Sequence, residues 1–99
     1  MVDKVRLGAH DVRVIVGPLE REDAGQTNTQ ANTISIQEGM APSQTSATLL
    51  HEICHFWLSG MPLSADFEEF LALSLESSLA SFLRDNPALV RDMLKTFEE

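Results

Sequence analysis

Tyrosine is absent from this 99-residue chain, cysteine occurs once, and seven Lys and Arg face fifteen Asp and Glu. Each shortage removes a class of explanation. The solitary Cys54 rules out an internal disulfide, so any covalent or ionic staple would have to be a metal ion. The net charge of -8 is opposite to the basic surface that draws in phosphate backbones, which sets nucleic acid aside as a partner. No run approaches the roughly 18 apolar residues of a membrane span. The first ten positions, with Asp3, Lys4, Arg6 and His10, also lack the apolar stretch of a signal peptide. The expectation is a cytoplasmic protein with no membrane partner.

What is present is hydrophobic material, 43% of residues, enough for one domain spanning residues 1–99 and too little for two. The hydrophobic period changes once, near residue 40, dividing the chain into strands and then helices. Val12, Val14 and Val16 alternate with Arg13 and Ile15, and Ile34 and Ile36 with Thr33, Ser35 and Gln37, the period-two pattern of half-buried strands. A shorter strand over Val5–Leu7 would turn at Gly8-Ala9 into the Val12 strand. The turn-rich stretch from Glu20 to Asn32 has room for a brief pairing around Thr27–Thr29. Beyond Gly39-Met40-Ala41-Pro42 the pattern is helical. A first helix is capped by Ser43 and reaches about Ser59, and a second runs from Ser64 or Asp66 to about Arg84. Asp85-Asn86-Pro87 opens a third, with an apolar stripe of Leu89, Val90, Met93, Leu94 and Phe97. The predicted fold is α+β, a small antiparallel sheet followed by three helices. Charge is uneven: residues 1–40 carry four basic and six acidic side chains, a net -2, and residues 41–99 three and nine, a net -6.

The first helix contains His51-Glu52-Ile53-Cys54-His55, an HExxH pattern. Residues four apart on a helix point the same way, with Cβ atoms about 6 Å apart, so two imidazoles can close on one ion. Glu52, one position round, would stand beside it as general base for a metal-bound water. With three His and nine Glu in the chain, chance yields on the order of 0.008 such matches. Counting about 100° per residue from His51, His55 falls at about 40° and Thr48 near 60°, while Leu49, Leu50, Ile53, Phe56 and Trp57 spread between about 140° and 260°. The imidazole face is polar and the opposite face is core, though an ordinary solvated stripe remains the competing reading. Cys54, at about 300°, reads as a small buried hydrophobe rather than a fourth ligand.

A catalytic zinc takes a third protein ligand and keeps a position for water. With Phe67 as zero on the second helix, Glu68 falls at about 100°, within an apolar face of Leu71, Ala72, Leu75, Leu79 and Phe82. A carboxylate there is costly without a cationic receiver. Glu69 and Glu76, near 200° and 180°, lie at the margin, and with Asp66 as N-cap Glu69 would close a capping box. Glu68 is therefore the expected third ligand, with Glu69 and Glu76 as alternatives and a simple dipole interaction as the plainer role for Glu68.

These residues resemble a family, the very small zincin-type metallopeptidases of phages and bacteria akin to the ImmA/IrrE-type peptidases and the minigluzincins. The likeness rests on Thr48-Leu49-Leu50-His51-Glu52-Ile53-Cys54-His55, on Glu68-Glu69 with Leu71, Ala72, Leu75 and Leu79, and on Leu83-Arg84-Asp85-Asn86-Pro87. It covers most of the chain, most strongly from 46 to 90. It implies Zn2+ held by His51, His55 and Glu68, with Glu52 as base and proton shuttle. It also implies a peptide substrate laid by strand addition along an edge at Ile34–Gln37. The chain departs from the family in having no Tyr to stabilise an oxyanion; His10 or Arg13 would have to substitute, and a solvated surface role suits each better. The expected activity is that of a zinc-dependent endopeptidase. The rival is a zinc-stapled protein-interaction module without turnover, and a third reading is a metal-free helical domain acting through its acidic face.

Overall fold

Four strands and three helices follow in the order the hydrophobic period predicts: β1 (Lys4–Leu7), β2 (His10–Gly17), β3 (Gly25–Asn28), β4 (Thr33–Gln37), α1 (Pro42–Leu58), α2 (Ala65–Asp85) and α3 (Pro87–Phe97). The computed structural model describes residues 2–20 and 23–98. β1 and β2 form the expected hairpin, and Gly8 supplies its tight turn with a φ of 61°.

The sheet is mixed rather than antiparallel, with strand order β1-β2-β4-β3 and β2 parallel to β4. The cause is the connection after Gly17. It carries the chain to the far edge, where β3 begins, and the β3–β4 hairpin then returns β4 alongside β2 in the same direction. β4 is therefore interior, flanked on both sides, and the expectation of an edge at Ile34–Gln37 is corrected: the edge strand against α1 is β3.

Alternation along the strands puts Leu7, Val12, Val14, Ile34 and Ile36 on one face, where Leu49, Ile53 and Phe56 of α1 cover them. Each such aliphatic chain contributes about 1.5–3 kcal/mol on full burial. The other side of α1 carries Cys54 and Leu58, which pack on Ala72 of α2 together with Leu63, Leu71 and Leu79. α1 is thus the middle layer, between the sheet and α2. Trp57, predicted as core or cleft wall, is half exposed.

The helix ends set the frame of the site. Pro42 at N1 opens α1, so that the N-cap is Ala41, two residues before the expected Ser43. Ser64 caps α2, its Oγ accepting the Phe67 N–H at 3.2 Å. Asn86 joins α2 to α3, its backbone N–H and Nδ2 both donating to the Phe82 carbonyl at 3.1 and 3.0 Å. No helix among the described residues is long and apolar enough to cross a membrane.

Candidate metal centre

His51 and His55 project from α1 into the notch between α2 and β3, their Nε2 atoms 3.2 Å apart. Glu69 of α2 reaches both, with Oε1 at 3.1 Å from His51 Nε2 and Oε2 at 2.8 Å from His55 Nε2. Three ligands of a tetrahedral zinc, bound at about 2.0–2.2 Å, stand roughly 3.3–3.5 Å from one another. Here Glu69 presents a different oxygen to each imidazole, and one ligand atom from each of the three residues can be chosen so that all lie within 4.8 Å of one another. Among the described residues, these three form the group of ligand atoms close enough to share one ion.

Glu68 does not join the triangle. Its Oε2 lies 2.7 Å from His55 Nδ1, on the far side of the ring. The expectation of Glu68 beside the ion is thus replaced by one of Glu69 there and Glu68 behind the imidazole. The difference comes from the cap. With Ser64 rather than Asp66 as N-cap, Glu69 is not at N3 and its carboxylate is free to reach the histidines. Glu68 is partly buried and pairs with the His55 imidazole.

Glu76 plays a similar part for the other ring, with Oε1 2.9 Å from His51 Nδ1. That nitrogen is buried and its N–H direction misses the carboxylate, so it has the proximity of an ion pair without a well-aligned hydrogen bond. Carboxylates behind both imidazoles favour protonation at Nδ1, which leaves each Nε2 lone pair pointing at its partners. The electrostatics follow directly. His55 Nε2 stands at hydrogen-bond distance from both Glu69 and His51 Nε2, so a proton on one imidazole or a cation would fill the space between these groups. Burial alone would push the His55 pKa down, but the hydrogen bonds that Glu68 and Glu69 accept from it and the charges of Glu69 and Glu52 outweigh it and raise it. Residues 41–83 contain no Lys or Arg, so no basic side chain of these helices competes for the four carboxylates.

Glu52 sits on the sheet side of the notch, 7% exposed. Thr27 Oγ1 donates to its Oε1 at 2.7 Å and lies 3.1 Å from its backbone carbonyl. Period-two alternation explains the pairing, since Gly25 and Thr27 share the face of β3 that meets α1. A Cβ on Gly25 would stand 2.9 Å from Thr48 Cγ2, 3.0 Å from Glu52 Cγ and 3.2 Å from Glu52 Oε2. The glycine is what lets the edge strand close on the carboxylate. Neither Gly25 nor Thr27 stands out in the sequence; only the short Thr27–Thr29 pairing hinted that this segment reaches the site.

The notch opens as a cleft of about 500 Å³ lined by His51, Glu52, His55, Glu69, Leu73 and Gln44. Cys54 is fully buried in the packing between α1 and α2, away from the ligand atoms, and burial followed by the charge of Glu76 raises its thiol pKa. His10 stacks edge-on to Phe56 at 5.9 Å, and Arg13 is exposed on β2. Neither lines the cleft. No protein family model, no curated protein and no solved structure matches the chain.

Proposed function

We propose that the protein is a zinc-dependent endopeptidase whose ion is held by His51, His55 and Glu69. The observation that carries this reading is the convergence of both Nε2 atoms and the Glu69 carboxylate on one point, with Glu52 anchored next to it. Zinc in such a site supplies Lewis acidity, polarising a scissile carbonyl and acidifying water. The remaining work belongs to the chain. Thr27 donates to Glu52 Oε1 and so holds that carboxylate in the wall of the cleft. Glu52 takes the proton of the attacking water as its oxygen bonds to the carbonyl carbon, then delivers that proton to the amine nitrogen as the C–N bond breaks. Glu68 is a positioning residue that holds the His55 ring from behind, and Glu76 places its charge beside His51 Nδ1.

A peptide would lie along β3, whose outer backbone groups have no neighbouring strand and can pair with an extended chain. This replaces the Ile34–Gln37 edge with Gly25–Asn28. The zinc-stapled module without turnover shares the same ligands, and the small core between α1 and α2 favours it to the extent that an ion would bind the two helices together. Glu52→Gln separates the two. It is expected to retain about one zinc per chain while losing cleavage of an unstructured protein substrate. A parent protein with zinc and no cleavage supports the staple, and a Glu52→Gln variant as active as the parent refutes the mechanism.

A further inference from the structure

The chemistry of the cleft leaves one large feature of the molecule without a role. The accessible surface is 7027 Å², whereas a folded monomer of 10.9 kDa exposes roughly 5,600 Å². The Cα radius of gyration of 14.2 Å likewise exceeds the roughly 12.6 Å of a compact domain of this length. Part of that surplus lies at the end formed by the second half of α2 and by α3. No described residue after Ala72 is buried.

That end is apolar. The side of α2 that packs on α1 through Ala72 and Leu79 continues into Leu75, Phe82 and Leu83, which are exposed. α3 presents Leu89, Leu94 and Phe97, the last 74% exposed. Each set spans an arc of about 140° or less on its helix, so each is a stripe rather than a scatter. Charge marks the same boundary. Residues 42–78 contain Glu52, Asp66, Glu68, Glu69 and Glu76 and no basic side chain, a net -5. Residues 79–98 set Arg84, Arg91 and Lys95 against Asp85, Asp92 and Glu98, a net of zero.

We propose that the end of α2 together with α3 is the interface of a symmetric dimer, two copies packing their helix pairs into a four-helix arrangement. A second copy is the occupant that fits. The whole-chain surplus of roughly 1,400 Å², part of which lies on this face, leaves room for the roughly 800 Å² that each partner buries in a standard interface. The neutral end is where two chains of charge -8 can meet without repulsion. It offers no excess of Lys or Arg to an anionic membrane or acidic partner. A two-fold axis lets one stripe cover its own copy and closes the assembly. The proposal is independent of the metal.

Sedimentation equilibrium and light scattering of the full chain, from micromolar to sub-millimolar concentration, test it. The expected mass is near 21.8 kDa, twice the 10.9 kDa of one chain. Leu94→Glu with Phe97→Glu is expected to weaken self-association at least about 100-fold, leaving single-chain mass at micromolar concentration with helical circular dichroism unchanged. Phe97→Ala, too mild to disturb folding, is expected to shift the same equilibrium in the same direction. Ser77→Glu, exposed on α2 outside the stripe, is expected to leave the dimer intact. Single-chain mass for the parent across the whole range overturns the proposal, whether or not another protein or a lipid vesicle binds this end. A dimer indifferent to both the Leu94/Phe97 and the Phe97→Ala changes overturns it as well.

Discussion

Gly25→Ala isolates the contact on which the base depends. Gly25 does not adopt a positive φ, so alanine carries no backbone strain there, and loss of glycine freedom in the unfolded chain favours the variant by about 0.4–1 kcal/mol. Against this stands the new Cβ, 2.9 Å from Thr48 Cγ2 and 3.0 Å from Glu52 Cγ. Neither neighbour is the free end of a long chain: both atoms are tied to α1, so β3 must move out or Glu52 must turn. Overpacking of this kind costs about 1–3 kcal/mol, which leaves a net destabilisation of about 1.3 kcal/mol at mid-range and about 2.6 kcal/mol at most. For a domain of this size the mid-range value is a fall in Tm of roughly 5–10 °C. Urea unfolding of parent and variant measures it directly. Gly17→Ala is the control, because a Cβ there meets nothing within 4 Å, and it is expected to be more stable than the parent by about 0.4–1 kcal/mol. Zinc content should be unchanged in Gly25→Ala, since no ligand atom is touched, while peptide cleavage should drop with the displaced carboxylate. If Gly25→Ala is as stable and as active as Gly17→Ala, the close approach of β3 to Glu52 is not a constraint and the reasoning fails.

Thr27→Val removes the partner of Glu52 Oε1 and leaves a buried carboxylate oxygen unpaired, at a cost of about 1–3 kcal/mol; zinc binding should persist and cleavage fall, as denaturant and activity assays would read. Glu68→Gln should weaken zinc binding about 10–100-fold through His55, whereas Glu69→Gln should weaken it further by removing a ligand; chelator competition ranks the two, and equal affinities would contradict the assignment of Glu69. Zinc at 100 times its Kd should add about 2.7 kcal/mol to stability, and a chelator should remove it, seen as a reversible shift of the thermal midpoint.

Much of the fold was legible because burial leaves a period in the sequence. Val12, Val14, Ile34 and Ile36 announced two strands, and the stretches after Pro42 and Ser64 announced helices. The parallel pairing of β2 with β4 was not legible, since strand direction depends on where the 18–24 connection travels and that segment has no periodic pattern. The two imidazoles and their joint orientation followed from helical spacing alone. The third carboxylate did not, because Glu68 and Glu69 are adjacent and the choice turned on a two-residue shift in the cap. Gly25 and Thr27 escaped notice for a different reason. Their importance lies in closeness to an element 25 residues away for Thr27, which no local pattern encodes.

The division of the site between a helix hairpin and an edge strand gives it two separate ways to fail. Every atom of the candidate ligand set comes from the span between His51 and Glu69, and β3 contributes only the Thr27 hydroxyl that holds Glu52. On the proposed reading, fraying, cleavage or misregistration of β3 would abolish cleavage while leaving His51, His55 and Glu69 able to hold an ion, so such a copy would sequester zinc rather than discharge it.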